Sequence, residues 1–215
     1  LGGPGPDRLS GGLFEDWVIG EEGNDVLSGG ADRQASDLLW GGPGDDIFQV
    51  IPDALPTNKS DPRIDPATKQ EIVVTLSDRF DGEEGNDQVL FLGGDYDPLG
   101  RPVPDHVALR YNTIYHRYEF AGLVWDVNGQ RFVKESPSSD IFRRHYAFYQ
   151  TVGVESMRID TRAGDDEVHG DPEYHFPGTT EDWGIPLDAF PQRGILGHLT
   201  INGGDGNDRL FGGAG

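Results

Sequence analysis

The chain has no cysteine among its 215 residues, so no disulfide holds it together. That absence fits secretion by a route that bypasses oxidative folding. No apolar run approaches the ~20 residues of a membrane-spanning helix. Leu1 is not followed by the basic and then hydrophobic stretch of a signal peptide. Bases are scarce, 17 against 38 acids for a net charge of −21, so there is no basic stripe to meet nucleic-acid phosphates. The hydrophobic fraction is 35%, low against the ~45–50% usual on a count that includes glycine. Catalytic signatures are missing too: there is no Gly-x-Ser-x-Gly elbow, no His-Glu-x-x-His and no phosphate loop. No segment of useful length has helical period. The six histidines (His106, His116, His145, His169, His175, His198) show no zinc-type spacing and read as scattered residues.

What the chain has is glycine, 32 residues of it, together with 15 prolines. Aperiodic glycine of this abundance would imply disorder, but here it is phased with Asp and an aliphatic residue. Gly2-Gly3-Pro4-Gly5-Pro6-Asp7-Arg8-Leu9-Ser10 and Gly41-Gly42-Pro43-Gly44-Asp45-Asp46-Ile47-Phe48-Gln49 are two copies of a nine-residue unit, Gly-Gly-x-Gly-x-Asp-x-(aliphatic)-x. A fixed period of this kind reveals architecture before any single residue does. In the first block the sixth-place acids are Asp7, Asp16, Asp25, Asp37 and Asp46, and the inward aliphatic or aromatic partners are Leu9, Val18, Leu27, Leu39 and Phe48. The second copy has Leu13-Phe14 where x-Gly belongs, the third has Glu21 for its second glycine, and the fourth carries about three extra residues between Gly30 and Asp37. Single copies follow at Gly82–Leu90, Thr161–His169 and Gly203–Phe211, and the last runs into Gly212-Gly213-Ala214-Gly215.

The glycines permit positive-φ turns and direct backbone carbonyls to a common centre. The sixth-place carboxylate adds a hard oxygen, and calcium takes about six to eight such oxygens. The residue two places later starts a short strand and faces inward. Without divalent cations so acidic a chain repels itself, so metal-coupled folding is expected.

This unit resembles the hemolysin-type, or RTX, calcium-binding repeat of secreted bacterial proteins. The resemblance implies an all-β fold, a parallel β-roll or β-solenoid in which two units make one full coil and Ca2+ lies between successive turns. Mapped onto this sequence, the expected ligands are Gly3, Gly5, Asp7, Asp16, Gly23, Asp25, Asp37, Gly42, Gly44, Asp46, Gly85, Asp87, Gly164, Asp166, Gly204, Gly206 and Asp208. It also implies a secreted or cell-surface location, with an export signal beyond Gly215. The half-unit at the C-terminus and the start inside a unit suggest a segment of a larger protein.

Between repeats the composition changes. The expected organisation is β-roll repeats over 1–49, a Pro/Asp-rich excursion and strand over 50–81, an isolated repeat and loop over 82–105, an aromatic β insertion over 106–152 and further rungs over 153–215. Ile72-Val73-Val74 is expected to be the strand feeding the repeat at Gly82, with Met157–Asp160 and Leu199–Asn202 as the equivalent strands before the later repeats. Asn128-Gly129 between Val124-Trp125 and Phe132-Val133 signals an antiparallel hairpin or small sheet, inserted into the coil or laid against it. Pro172 to Pro191 reads as loop. Trp17 and Trp40 fall at outward-leaning places.

The functional expectation is a non-enzymatic, calcium-stabilised structural or adhesive segment of an extracellular bacterial protein. Its candidate partners beyond calcium are polysaccharide or further copies of the chain. The alternatives are the non-catalytic tail of a secreted enzyme, a polysaccharide-acting β-helix with Asp126, Asp140 and Glu155 as carboxylates, and a subunit of a calcium-dependent surface layer or fibre.

Overall fold

A computed structural model describes residues 1–12, 15–30, 37–50, 63–64, 71–72, 77–94, 96, 99–112, 117–123, 125–126, 131–132, 146–170 and 198–212. Several expectations lie outside these residues: the Leu13-Phe14 turn, the extra residues before Asp37, most of the Pro/Asp-rich excursion, Asn128-Gly129, the Pro172–Pro191 loop, and His116, His145 and His175. All regular structure among the described residues is β, and most ladders are parallel, consistent with a β-roll.

The nine-residue period puts successive units into two different sheets. The six-stranded sheet holds β1 (Arg8–Gly12), β3 (Val26–Gly30), β5 (Ile47–Val50), β9 (Gln88–Leu92), β15 (Ser156–Asp160) and β17 (His198–Asn202), in that spatial order and all parallel. The eight-stranded sheet starts with β2 (Trp17–Ile19), β4 (Leu38–Trp40) and β8 (Ser77–Asp81) and ends with β16 (Glu167–His169) and β18 (Arg209–Phe211). The register aligns equivalent repeat positions two units apart, Leu9 with Leu27 in one sheet and Val18 with Leu39 in the other.

Between β8 and β16 the eight-stranded sheet takes in three strands of the aromatic segment: β14 (Tyr146–Val152), β11 (Arg117–Leu123) and β10 (His106–Asn112). β14 runs parallel to β8 and β10 parallel to β16, while β11 is antiparallel to both of its neighbours. The insertion is thus part of the sheet rather than laid against it. A further antiparallel pair, β12 (Trp125–Asp126) with β13 (Arg131–Phe132), flanks Asn128-Gly129 as the turn chemistry predicts.

One strand expectation needs correction. Ile72 lies in β7 (Glu71–Ile72), which pairs antiparallel with β6 (Arg63–Ile64) in a separate two-stranded sheet. The strand entering the turn at Gly82 is β8, whose inward residue Phe80 is buried. Phe80 stands two places before Gly82 just as Leu39 stands two before Gly41, so repeat phase, and not the β-branched Ile72, marks the entering strand.

The core lies between the sheets. Leu27, Leu39, Phe48, Phe80, Val89, Phe91, Val107, Phe120, Met157, Ile159 and Val168 are buried there, alternating with outward residues as strands require. Two extra strands widen one sheet by roughly 9–10 Å, and aromatic rings fill the added space. Phe80 stacks on Phe48 at 5.4 Å between ring centroids and on Tyr149 at 6.0 Å, and Phe120 stacks on Tyr149 at 4.7 Å. Trp17, by contrast, leans edge-on against Trp40 at 5.7 Å and stays 68% exposed. Phe80→Ala is therefore expected to lower unfolding free energy in calcium by about 3–5 kcal/mol, and Trp17→Ala by no more than about 0.5 kcal/mol. Denaturant unfolding of the two variants measures the contrast.

Candidate metal centre

The turns between sheets are built to let polypeptide layers stack without intervening side chains. In the unit Gly41–Gln49, Gly44 has φ of 150°, and a Cβ there would run into the carbonyl of Gly23 in the neighbouring turn. Gly23 meets Gly5, Gly85 meets Gly44 and Gly206 meets Gly164 in the same way. The second place of the unit needs the left-handed region: Gly3, Gly42 and Gly204 supply it, but so do Glu21 (φ 78°), Glu83 (φ 66°) and Arg162 (φ 66°). A side chain held there costs about 1–2 kcal/mol, so something else in the turn must enforce it.

That constraint centres on the sixth-place acids. The backbone N–H of Asp7 donates to Asp25 Oδ1 at 2.8 Å, that of Asp25 to Asp46 Oδ1 at 2.8 Å, and that of Asp46 to Asp87 Oδ1 at 2.8 Å. The column ends with Asp87 N–H donating to Glu155 Oε2 at 2.8 Å. These acids all precede strands of the six-stranded sheet. A second column runs along the starts of the strands of the eight-stranded sheet, in two sections. Asp16 donates to Asp37 Oδ1 at 2.9 Å and Asp37 to Asp78 Oδ1 at 3.0 Å. Asp105 donates to Asp166 Oδ1 at 2.7 Å and Asp166 to Asp208 Oδ1 at 3.1 Å. The inserted strands separate the sections.

One carboxylate oxygen of Asp25, Asp46, Asp87, Glu155, Asp37, Asp78, Asp166 and Asp208 is thereby held by the ladder. The other is not. Oδ2 of Asp16, Asp25, Asp46, Asp87 and Asp166 is buried and has no hydrogen-bond partner. Those of Asp16, Asp25, Asp46 and Asp87 lie against the first glycine of their own unit: a Cβ on Gly20 would collide with Asp25 Oδ2, and one on Gly41 with Asp46 Oδ2. Buried carboxylate oxygens stacked in columns and lacking donors form a set of hard oxygens suited to a cation. Burial pushes the Asp87 carboxyl up to about 7 and that of Asp166 up to about 6, and it raises Asp46 as well.

The sequence-predicted residues fall into this arrangement. Asp7, Asp25, Asp46 and Asp87 stand in the first column, and Asp16, Asp37, Asp166 and Asp208 in the second, with Gly3, Gly5, Gly23, Gly42, Gly44, Gly85, Gly164, Gly204 and Gly206 at the positive-φ places of the turns. Sequence reasoning missed Asp78, Asp105 and Glu155. Asp105 completes a unit opened by Gly93-Gly94: Gly94 N–H donates to Asp105 Oδ2 at 2.8 Å, and Val107 follows as the inward residue. The signal was the Asp-x-Val spacing, hidden by the residues between Gly94 and Asp105. Glu155, which could have belonged to a glycosidase pair, is instead a rung of the first column.

The family model for the RTX calcium-binding nonapeptide repeat matches in four copies, over residues 1–33, 34–49, 77–96 and 200–215. The chain carries RTX repeats. Such repeats bind calcium, the ion that the donor set of these turns suits. No curated protein and no solved structure matches the chain. The ladders of the RTX turns continue through Asp105 and Asp166, outside the matched segments.

Two predictions follow from the buried acids. Between about pH 4 and 7, folded Asp87 keeps a proton that the unfolded chain has released, as does Asp166 up to about pH 6. The metal-free fold therefore loses stability as pH rises through that window, and calcium binding near neutrality releases protons. Calorimetry in buffers of different ionisation enthalpy reads the release, and apparent calcium affinity should fall as pH drops from 7 to 6. Separately, Gly41→Ala puts a methyl where Asp46 Oδ2 sits and should weaken calcium binding roughly ten- to a hundredfold, as a calcium titration would show.

Proposed function

We propose that this chain is a calcium-folded structural or adhesive segment of a larger extracellular bacterial protein, a parallel β-solenoid whose turns are cross-linked by Ca2+. The observation that carries the reading is the pair of buried carboxylate columns in which one oxygen of each of five acids has no hydrogen-bond partner. In an empty site those oxygens repel one another, and calcium between adjacent turns converts the repulsion into attraction. The expected ligands are the column acids, among them Asp7, Asp25, Asp46, Asp87, Asp166 and Asp208, with carbonyls of the glycine turns completing the coordination. Asp78, Asp105 and Glu155 join the set.

Extracellular calcium modules have dissociation constants of about 10⁻⁴–10⁻³ M. On this reading the chain stays loose in a low-calcium cytosol and folds after export. A role in catalysis has little support: among the described residues, Glu155 is engaged in the ladder rather than facing another carboxylate across a cleft. The segment therefore reads as a scaffold, whether it carries adhesion or forms the tail of a secreted enzyme.

The experiment is a calcium titration of metal-stripped protein followed by far-UV circular dichroism. A cooperative gain of β signal near millimolar calcium, absent with magnesium, is expected. Asp46→Asn should raise the midpoint at least about tenfold, whereas Asp160→Asn, an acid on the β15 strand facing Arg158 at 3.5 Å, should leave it in place. A fully formed β spectrum in chelator, or equal midpoints for the two variants, would sink the proposal.

A further inference from the structure

The pairing of β10 with β16 creates a second side-chain cluster, of different chemistry. His106 lies opposite Glu167 and Ala108 opposite His169 in the parallel register. Val107 and Val168 point into the core, so His106, Glu167 and His169 share the other face of the sheet. On that face His169 Nε2 is 2.6 Å from Glu167 Oε1, and His106 Nε2 is 4.0 Å from the same oxygen. The three candidate ligand atoms all lie within 4.8 Å of one another. Although they are on the outer face, His106 is only 5% exposed and His169 only 8%.

The neighbouring strand closes one side. Phe211 of β18 stacks on the His169 ring at 4.5 Å and 14°, and Arg209 Nη1 stands 3.9 Å from Glu167 Oε2. The rings of His106 and His169 are 6.0 Å apart at 36°, tilted toward each other rather than stacked. Two imidazoles and a carboxylate form a mixed nitrogen–oxygen set. It differs in kind from the all-oxygen turns, and calcium has no preference for imidazole.

We propose that His106, Glu167 and His169 form a second metal site, for a divalent transition ion of the zinc type, with an open position for water or an outside ligand. Zinc takes two imidazoles and a carboxylate readily, and three protein ligands leave a fourth coordination position open. An entering ion replaces the short Glu167–His169 contact and draws His106 in across its 4.0 Å gap.

The site depends on the calcium turns through register. His106 directly follows Asp105 and Glu167 directly follows Asp166, and those two acids, 61 residues apart, are joined by the Asp105 N–H to Asp166 Oδ1 bond. Calcium is thus expected to set the alignment that brings the zinc ligands together.

The test uses the full chain, stripped of transition metals and held in millimolar calcium, titrated with Zn2+ and, separately, Co2+. One equivalent of zinc beyond calcium is expected, with cobalt giving the visible bands of a low-coordinate nitrogen–oxygen site. His106→Gln and His169→Gln should each weaken zinc binding at least about tenfold while leaving the calcium midpoint and far-UV spectrum unchanged. Histidine-selective NMR of the unmodified chain should show two of the six imidazoles responding to zinc, which keeps the test decisive if a variant folds poorly. Absence of a zinc equivalent, retention of full affinity in the double variant, or perturbation of histidines other than these two overturns the proposal, leaving the cluster as a Glu–His contact that packs β16 against β18.

Discussion

Like charges stacked in a confined column are the constraint from which the rest of the structure follows. Within each ladder the N–H of one acid donates to a carboxylate oxygen of the next, at 2.7–3.1 Å throughout the aspartate ladders. The ladder fixes the spacing of the turns and leaves Oδ2 of Asp16, Asp25, Asp46, Asp87 and Asp166 buried with no hydrogen-bond partner. A hydrophobic core lies between the sheets, but burying several carboxylates beside it opposes folding by desolvation and repulsion together. Calcium, which RTX repeats bind, acts against both terms.

The same constraint explains the glycines. A Cβ on the first-place Gly20, Gly41 or Gly82 would occupy the position of the acid's second oxygen, and one on the fourth-place Gly23, Gly44, Gly85 or Gly206 would strike the carbonyl of the next turn. At the second place side chains are tolerated, as Glu21, Glu83 and Arg162 point outward from a left-handed backbone. Their conformational cost is borne because the turn's geometry is dictated from both sides, by the acid ladder within and by the neighbouring layers above and below. A second, exposed ladder reinforces this at the fifth place: Asp45 N–H donates to Asn24 Oδ1 and Asn86 N–H to Asp45 Oδ1, each at 3.0 Å.

How far the sequence revealed this depends on whether information was local. The Gly-Gly-x-Gly-x-Asp-x-Leu period contains both the turn and the inward residue, so Asp7, Asp25, Asp46 and Asp87 and the burial of Leu27, Leu39 and Phe48 could be read directly. Asp105 could not, because the residues after Gly94 separate its glycines from its acid. Asp78 and Glu155 lack the glycine pair altogether and are recognised only by the N–H groups that donate to them. Ile72 misled because strand propensity is a weaker determinant than repeat phase. The meeting of His106 with His169 was illegible for a topological reason. It requires knowing that β10 pairs with β16, across a chain excursion that includes two antiparallel strands.

That excursion also separates two regimes of the molecule. Rungs of the first column connect residues 18, 21, 41 and then 68 apart as the insertions grow. Loop-closure cost rises only logarithmically with such lengths, which is why one register survives insertions of such different size. The second column does not survive intact. The aromatic strands pair antiparallel and locally, fill the widened core with Phe120 and Tyr149, and split the acids into Asp16–Asp37–Asp78 and Asp105–Asp166–Asp208. On one edge, then, cation-binding turns form a continuous series joining both halves of the chain. On the other edge the halves meet through packed aromatic rings, so a ring-to-alanine change there weakens their union without touching a single carboxylate.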